Sequence, residues 1–369
     1  MGLNEEIKSG RAIIHSDGYP MSIGELTNLY RDGELDIHPE FQRFYRWNQV
    51  QKSRLIESIL LGIPLPSIFA SQQEGGQWDI VDGLQRLSTI FELMGILKDE
   101  HGKVCPQLTL TKTRYLPSLQ GKKWKDQENP TNEIGETNQL LVKRAKIDVK
   151  IILRESSEQA KYELFQRLNT GGSQLSEQEL RNVLLIMVNR EFYQWVRELA
   201  TDHNFHLCIG LSENAGLQQY DVDLVMRFLV LRTQEEKRLK GIGDMGEYLN
   251  DESIELAQKV NYDKRNEKAA FEFAFSELAK TLNEDSFRRF DVTKNKYAGG
   301  FLLSAFEVLA LGLGYNYENC KAKNAMPNIK KISRTLWSNA EFLKYSGSGV
   351  RASSRIPHTI PLGRSLMKP

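Results

Sequence analysis

Cysteine is nearly missing from this chain: three in 369 residues, Cys105, Cys208 and Cys320, far apart and odd in number. A disulfide framework is therefore not expected, and a reducing cytoplasm is the default setting. No apolar run approaches bilayer-spanning length, and the opening MGLNEEIKSGR has no signal-peptide core, so no membrane partner is expected. The Met-Gly start also lacks the downstream Ser or Thr of a myristoylation signal. There is no G-x-x-x-x-G-K-S/T loop, no G-x-S-x-G elbow and no internal repeat. Metal-ligating types gather only at His203, His206 and Cys208, with no second cluster to complete four ligands, so no metal site is predicted.

Net charge is scarce as well, at +1, but it is unevenly spread. Residues 321–369 hold ten Lys or Arg and a single acid, Glu341; residues 1–320 then carry a balance of −8. Trp337, Phe342 and Tyr345 are interleaved with the basic residues. Lys330, Lys331, Arg334, Arg351 and Arg355 are the candidate nucleic-acid contacts, because such a segment can track a phosphate backbone. Folding back on the acidic body fits the same charges equally well.

Hydrophobic content of 40% and charged content of 26% are ordinary for a globular chain, and the length suffices for two domains. Ser22 and Glu25 form a capping box that opens a helix through Tyr30, stopped at Asp32-Gly33. Asn48 caps a second helix with the apolar face Val50, Leu55, Ile56, Ile59 and Leu60, ended by Gly62 and Pro64. Residues 67–71 and 77–82 read as strands joined by Glu74-Gly75-Gly76. Leu87, Ile90, Phe91, Met94 and Leu97 recur at helical spacing. Residues 111–140 are polar and read as a long surface excursion, and 146–153 as a strand. A helix from Ser156 or Ser157 through Leu168 follows, and then a capping box of Ser176 with Glu179. Beyond it nearly every segment to about 345 reads as helix. The prediction is an α+β fold: a small mixed core over 1–155, a helical region over 156–345 and a basic C-terminal segment over 346–369. Ser/Gly richness makes that segment a mobile loop before a last ordered stretch.

The most informative stretch is QWDIVDGLQRLSTIFELMGIL, 77–97. Between strand and helix sit Asp82-Gly83-Leu84-Gln85-Arg86. Glycine allows a tight reversal, and the new helix begins with N–H groups that attract anions. Arg86 adds a forked donor suited to phosphate, and Asp82 suits a sugar hydroxyl, a metal or a water. Pairing of Arg86 with Asp82, or capping of a nearby carbonyl, fits the same residues. Phe41-Gln42-Arg43, with Tyr45, Arg46 and Trp47, mixes guanidiniums with aromatics that can exclude water or stack a base. Arg167 and Asn169 precede Gly171-Gly172 at a turn. Three arginine-bearing turns, around Arg43, Arg86 and Arg167, suit one polyanion. Asp148-Val149-Lys150 resembles half of a nuclease signature, but alternating charge on an exposed strand face explains it more simply. His358-Thr-Ile-Pro361 resembles a His-x-x-Pro motif with too little sequence after it for a metal finger.

FQRFYRW, KSRLIESILLGIPLP, IVDGLQRLSTI and LFQRLNTGGSQLSEQELRN, in that order over about 20–190, resemble the ParB-like family that forms the N-terminal part of GmrSD-type restriction enzymes and related phage-defence proteins. The closing SGVRASSRIPHTIPLGR is similar to stand-alone members. The resemblance implies a ParB/sulfiredoxin-like α+β core with a nucleotide site, coupled to DNA restriction. The family's Asp-Gly-Gln-Gln-Arg motif falls on Asp82 to Arg86, with Leu84 replacing the first Gln and removing an amide. The aromatic-Gln-Arg motif falls on Phe41, Gln42 and Arg43, and the Arg-x-Asn-x-Gly-Gly loop on Arg167, Asn169, Gly171 and Gly172. Many relatives carry a His-Asn-His nuclease domain that this sequence lacks, so in a restriction system cutting is expected of a separate nuclease subunit or is not this chain's task.

The leading expectation is a nucleoside-triphosphate-binding and hydrolysing regulator that uses Mg²⁺ and engages DNA. Asp82 and Arg86 are its catalytic candidates; Gln42, Arg43, Arg46, Gly83, Gln85, Ser88, Thr89, Arg167 and Asn169 are its phosphate-site candidates. A DNA-binding adaptor without turnover is the alternative. A nuclease using Asp82 with Glu40 or Asp148 ranks last, since metal-dependent cutting needs clustered carboxylates. A homodimer is compatible with each.

Overall fold

The computed structural model describes the chain except for residues 1, 4, 6–14, 38–46, 74, 100, 155, 157–176, 212–218 and 348. Two compact units, residues 1–175 and 176–369, account for it.

The first unit is built on a five-stranded sheet. Its strands are β1 (Ser16–Ser22), β2 (Leu35–Asp36), β3 (Ile68–Gln72), β4 (Trp78–Asp82) and β5 (Lys146–Ile152), in the order β1-β5-β3-β4-β2. β1 pairs antiparallel with β5, and β3 antiparallel with β4, whereas β5–β3 and β4–β2 are parallel. In β5, Ile147, Val149 and Ile151 enter the core while Lys146, Asp148 and Lys150 point to solvent. That is the alternation expected of a strand with one wet face.

Local signals set the helices. Ser22 accepts from the Glu25 N–H at the start of α1 (Ile23–Asp32), and Gly33 closes it in the left-handed conformation, φ 77°. A reciprocal capping box of Asn48 and Gln51 opens α2 (Gln49–Leu60). Leu55, Ile56 and Ile59 of α2 are buried, but Val50 is exposed, contrary to expectation. Five residues before Leu55, it lies on the opposite side of the helix. α3 (Leu84–Leu93) buries Leu87, Ile90, Phe91 and Leu93, and Phe91 stacks on Tyr30 of α1 at 4.4 Å.

The polar excursion is more ordered than its composition implies. Leu119, Trp124 and Ile134 plug into the same core, as do Leu108 and Leu110 just before the excursion, and residues from Glu136 onward form α4 (Glu136–Arg144). Gln139 of α4 donates to the Trp124 carbonyl at 2.6 Å.

The second unit is helical, with one small hairpin. α5 (Glu177–Ala200) breaks at Asn189, whose side chain accepts from the Phe192 N–H at 2.9 Å and donates to the Ala257 carbonyl at 2.8 Å. There follow α6 (His203–Ile209), α7 (Tyr220–Leu231), α8 (Glu236–Lys240), α9 (Met245–Gln258) and α10 (Lys264–Leu282). The hairpin is β6 (Arg289–Asp291) with β7 (Lys296–Ala298), an addition to the all-helical expectation. The chain then forms α11 (Leu303–Tyr315), α12 (Tyr317–Lys323), α13 (Ile329–Thr335), α14 (Ala340–Tyr345) and α15 (Ala352–Leu366). Phe205, Phe228, Phe271, Phe275, Phe287 and Phe306 form one aromatic core.

α11 lies deep in this unit and packs along α15. Gly312 and Gly363 set the crossing: a Cβ on either would stand 2.4 Å from a carbonyl oxygen of the other helix. The C-terminal segment is thus a docked helix from Ala352 onward, where its Ser and Gly content suggested a mobile loop before a last ordered stretch.

Among the described residues, no helix is long and apolar enough to cross a membrane.

Candidate functional site

The 82–86 turn leaves the sheet at the end of β4. The β3–β4 register shifts between Phe69 and Ala70, which brings Phe69 opposite Asp82. Gly83 then turns at φ 103°. A Cβ there would meet Ile68 Cγ2 at 2.4 Å, so both conformation and space demand glycine. α3 starts directly after it, and no side chain caps its N-terminus. The first turn of α3 therefore presents backbone donors and the positive end of the helix dipole. The Asp82 carboxylate stands beside this turn with its side chain 47% exposed.

Arg86 points back rather than outward. Its Nη1 donates to the carbonyls of Pro66 and Ser67, and its Nη2 to Ser67 at 3.1 Å and to Asp82 Oδ2 at 3.2 Å. The side chain is only 11% exposed. Burial pushes its pKa down, and the Asp82 charge partly restores it. Of the two roles the sequence left open, the structure takes the local one: the guanidinium fastens the turn to the entry of β3. In this arrangement the fork faces the Pro66 and Ser67 carbonyls and Asp82, and a phosphate would compete with them for Arg86.

Ser88 and Thr89, expected at the phosphate site, follow on α3. They lie on the core side of α3 and are fully buried; the Thr89 hydroxyl donates to the Gln85 carbonyl at 2.7 Å. Gln85 stays half-buried in the first turn, and Leu84 packs on the core. Gln42, Arg43, Arg46, Glu40, Arg167 and Asn169 lie outside the described residues, as do Gly171, Gly172 and Ser176.

The C-terminal cations divide into two groups. Lys330 and Lys331 are exposed on α13, with Arg334 on the same helix over the Phe290 ring at 5.0 Å. Arg351 is exposed at the start of α15. Arg355 is not a surface contact: its guanidinium holds Glu307, a carboxylate 1% exposed, through Nε and Nη2 at 2.9–3.1 Å. Thr359 completes the arrangement by donating to Glu307 at 2.7 Å. Arg364 likewise turns inward, donating to the carbonyls of Leu231, Arg232 and Gln234. Arg355, expected among the nucleic-acid contacts, is here engaged within its own unit: a buried carboxylate would be left unpaired without it.

A second buried network escaped the sequence reading. Asp223 of α7 accepts from Arg181 at 2.8 Å and from Arg227 at 2.5 Å, beside a chain running from Gln178 through Asn182 to Gln219. The two arginines hold the Asp223 carboxyl low despite its burial. Only the i,i+4 spacing of Asp223 and Arg227 signalled it. Cys208 is a core residue, its Sγ 3.7 Å from the Phe275 carbonyl, and burial pushes its thiol up to about 11. Asp148 sits on the wet face of β5, and among the described residues no three His, Cys, Asp or Glu side chains converge on a metal-binding point.

The chain thus couples an α+β core, with an acid-flanked turn at a sheet end, to a helical region. Residues 23–186 match the family model described as the GmrSD restriction endonuclease, N-terminal domain. The match spans 164 of the 369 residues, and the likeness to the GmrSD N-terminal family is that of this segment. No curated protein and no solved structure matches it.

Proposed function

We propose that the protein is a nucleoside-triphosphate-binding and hydrolysing regulator in a DNA restriction or phage-defence system. The family supports the system, and the 82–86 turn supports the nucleotide. The observation that carries the reading is the uncapped start of α3 at Gly83, with an accessible acid, Asp82, beside it. Backbone N–H groups of that turn suit phosphate oxygens. Asp82 is of the right type to hold Mg²⁺ or orient a water, and a bound Mg²⁺ would neutralise charge on the phosphates. Arg86 acts as a positioning residue that fixes the turn. Arg43, Arg46 and Arg167, with Gln42 and Asn169, are the proposed phosphate contacts that the family motifs supply.

The test is phosphate release from ATP, GTP, CTP and UTP with Mg²⁺, with and without DNA, on wild type, Asp82→Asn and Arg43→Ala. Release that both substitutions abolish in a folded protein is the expected result. No release, together with no thermal stabilisation by any of the four nucleotides, overturns the reading.

A second reading, a DNA-binding adaptor that serves a separate nuclease subunit without turnover, is favoured by one observation: the exposed cations of α13. It predicts DNA binding that is steeply salt-dependent and indifferent to nucleotide.

A further inference from the structure

The β6–β7 hairpin and α13 were unrelated in the sequence reading, yet the fold joins them. Tyr297 of β7 and Ser333 of α13 share a hydrogen bond of 2.6 Å between their hydroxyls. The Arg334 guanidinium covers the Phe290 ring of β6 at 5.0 Å, and Arg289 covers Trp337 at 5.9 Å. Ser333, Arg334 and Trp337 follow Lys330 at i+3, i+4 and i+7, so one stripe of the 329–338 segment abuts the hairpin.

The joined surface is cationic. Residues 289–298 and 329–337 hold six Lys or Arg and one acid, Asp291, which lies 3.9 Å from Lys294. Arg289, Lys296, Lys330 and Lys331 are all exposed, and among the described residues no carboxylate pairs with any of them. Leaving so many like charges together costs self-repulsion that a polyanion relieves.

We propose that this hairpin–α13 face is a docking surface for duplex DNA, read through its phosphate backbone. The inference rests on the reading of DNA as a partner and adds where the contact is made. Single strands are disfavoured by the same geometry. Phe290 and Trp337 already carry guanidiniums over their rings, and Trp337 also packs edge-on against Phe342 at 5.2 Å, so neither presents a bare platform for an unstacked base. The hairpin is narrow enough for a groove, while Lys330 and Lys331 project from the helix beside it.

Binding of a labelled DNA duplex is measured by fluorescence anisotropy over a salt series on the full chain. The variants are Lys330→Glu/Lys331→Glu and Arg289→Ala/Lys296→Glu, with Lys237→Glu/Lys240→Glu on exposed α8 as the matched control. Each face variant is expected to weaken binding at least about tenfold and to flatten the log–log salt dependence by about two contacts, with the control unchanged. Wild-type binding that both face variants retain overturns this surface and leaves DNA as a partner. Absence of duplex binding by wild type at low salt overturns the DNA reading itself, as does preference for RNA or single strands. Melting curves matching wild type establish that the variants are folded.

Discussion

Arg355 reaches from α15 to Glu307 of α11 and satisfies both oxygens of a carboxylate that is 1% exposed. The pair fastens the C-terminal helix to the deepest helix of its unit. Arg355→Ala leaves Glu307 buried and without its cation, and a loss of about 3–5 kcal/mol is expected in chemical denaturation. Replacing both members with apolar residues of similar volume is expected to recover most of that loss. A surface arginine would give less than about 1 kcal/mol in the same experiment.

Gly83 offers a cleaner test of the 82–86 turn. Gly83→Ala combines a left-handed backbone with overlap on Ile68, and a loss of about 2–4 kcal/mol follows. Gly33→Ala is the comparison, since Gly33 has φ 77° but nothing within 4 Å of a new Cβ. Its expected cost is about 1 kcal/mol. Urea midpoints of the two variants separate conformation from contact.

Arg86→Lys keeps the charge and removes the fork. One ammonium cannot span the Pro66 and Ser67 carbonyls and Asp82 together, so stability is expected to fall by about 1–3 kcal/mol. If Arg86 served mainly as an outward cation, the exchange would leave the melting temperature unchanged.

Acid sensitivity is expected at Glu57 in α2. Burial raises its carboxyl, but hydrogen bonds from Thr113 and from the N–H groups of Tyr115 and Leu116 outweigh it and hold the value below the ordinary 4.5. The two backbone bonds measure 2.8 and 3.0 Å. With the folded value below the unfolded one, the contribution is complete above about 4.5 and disappears as pH falls through the folded value. Glu57→Gln is expected to flatten the stability profile across that acid limb, read by denaturation at successive pH values.

The elements with strong local signals were legible. Ser22 and Gly33 bracket α1, Asn48 and Gln51 open α2, and the strand–Gly–helix turn stands where 77–97 placed it. β1 was not legible because SDGYPMS buries only Met21 and takes its order from β5. α4 hid in a polar stretch because only Gln139 and Val142 reach the core. The start of α15 read as a loop because of its Ser and Gly content; the helix forms even with Pro357 and Pro361 inside it, with Gly363 packed on Val308. At the site, residue types marked the turn, but they did not reveal which way the Arg86 fork points. That direction depends on where the 66–67 carbonyls lie, and pattern alone does not carry it.

The strand order also sets a schedule for synthesis. β1 emerges early, yet its partner is β5, with Ser16 opposite Ile152 and Ser22 opposite Lys146. β5 also inserts beside β3, so two strand edges wait for the same late segment. At typical elongation rates of about 5–20 residues per second, that wait lasts roughly ten seconds. The β3–β4 hairpin closes from local chain in the meantime, and the sheet is knitted last at its second strand. A ribosome that pauses before residue 146 leaves both edges open, which makes this interval the period when a chaperone has most to cover.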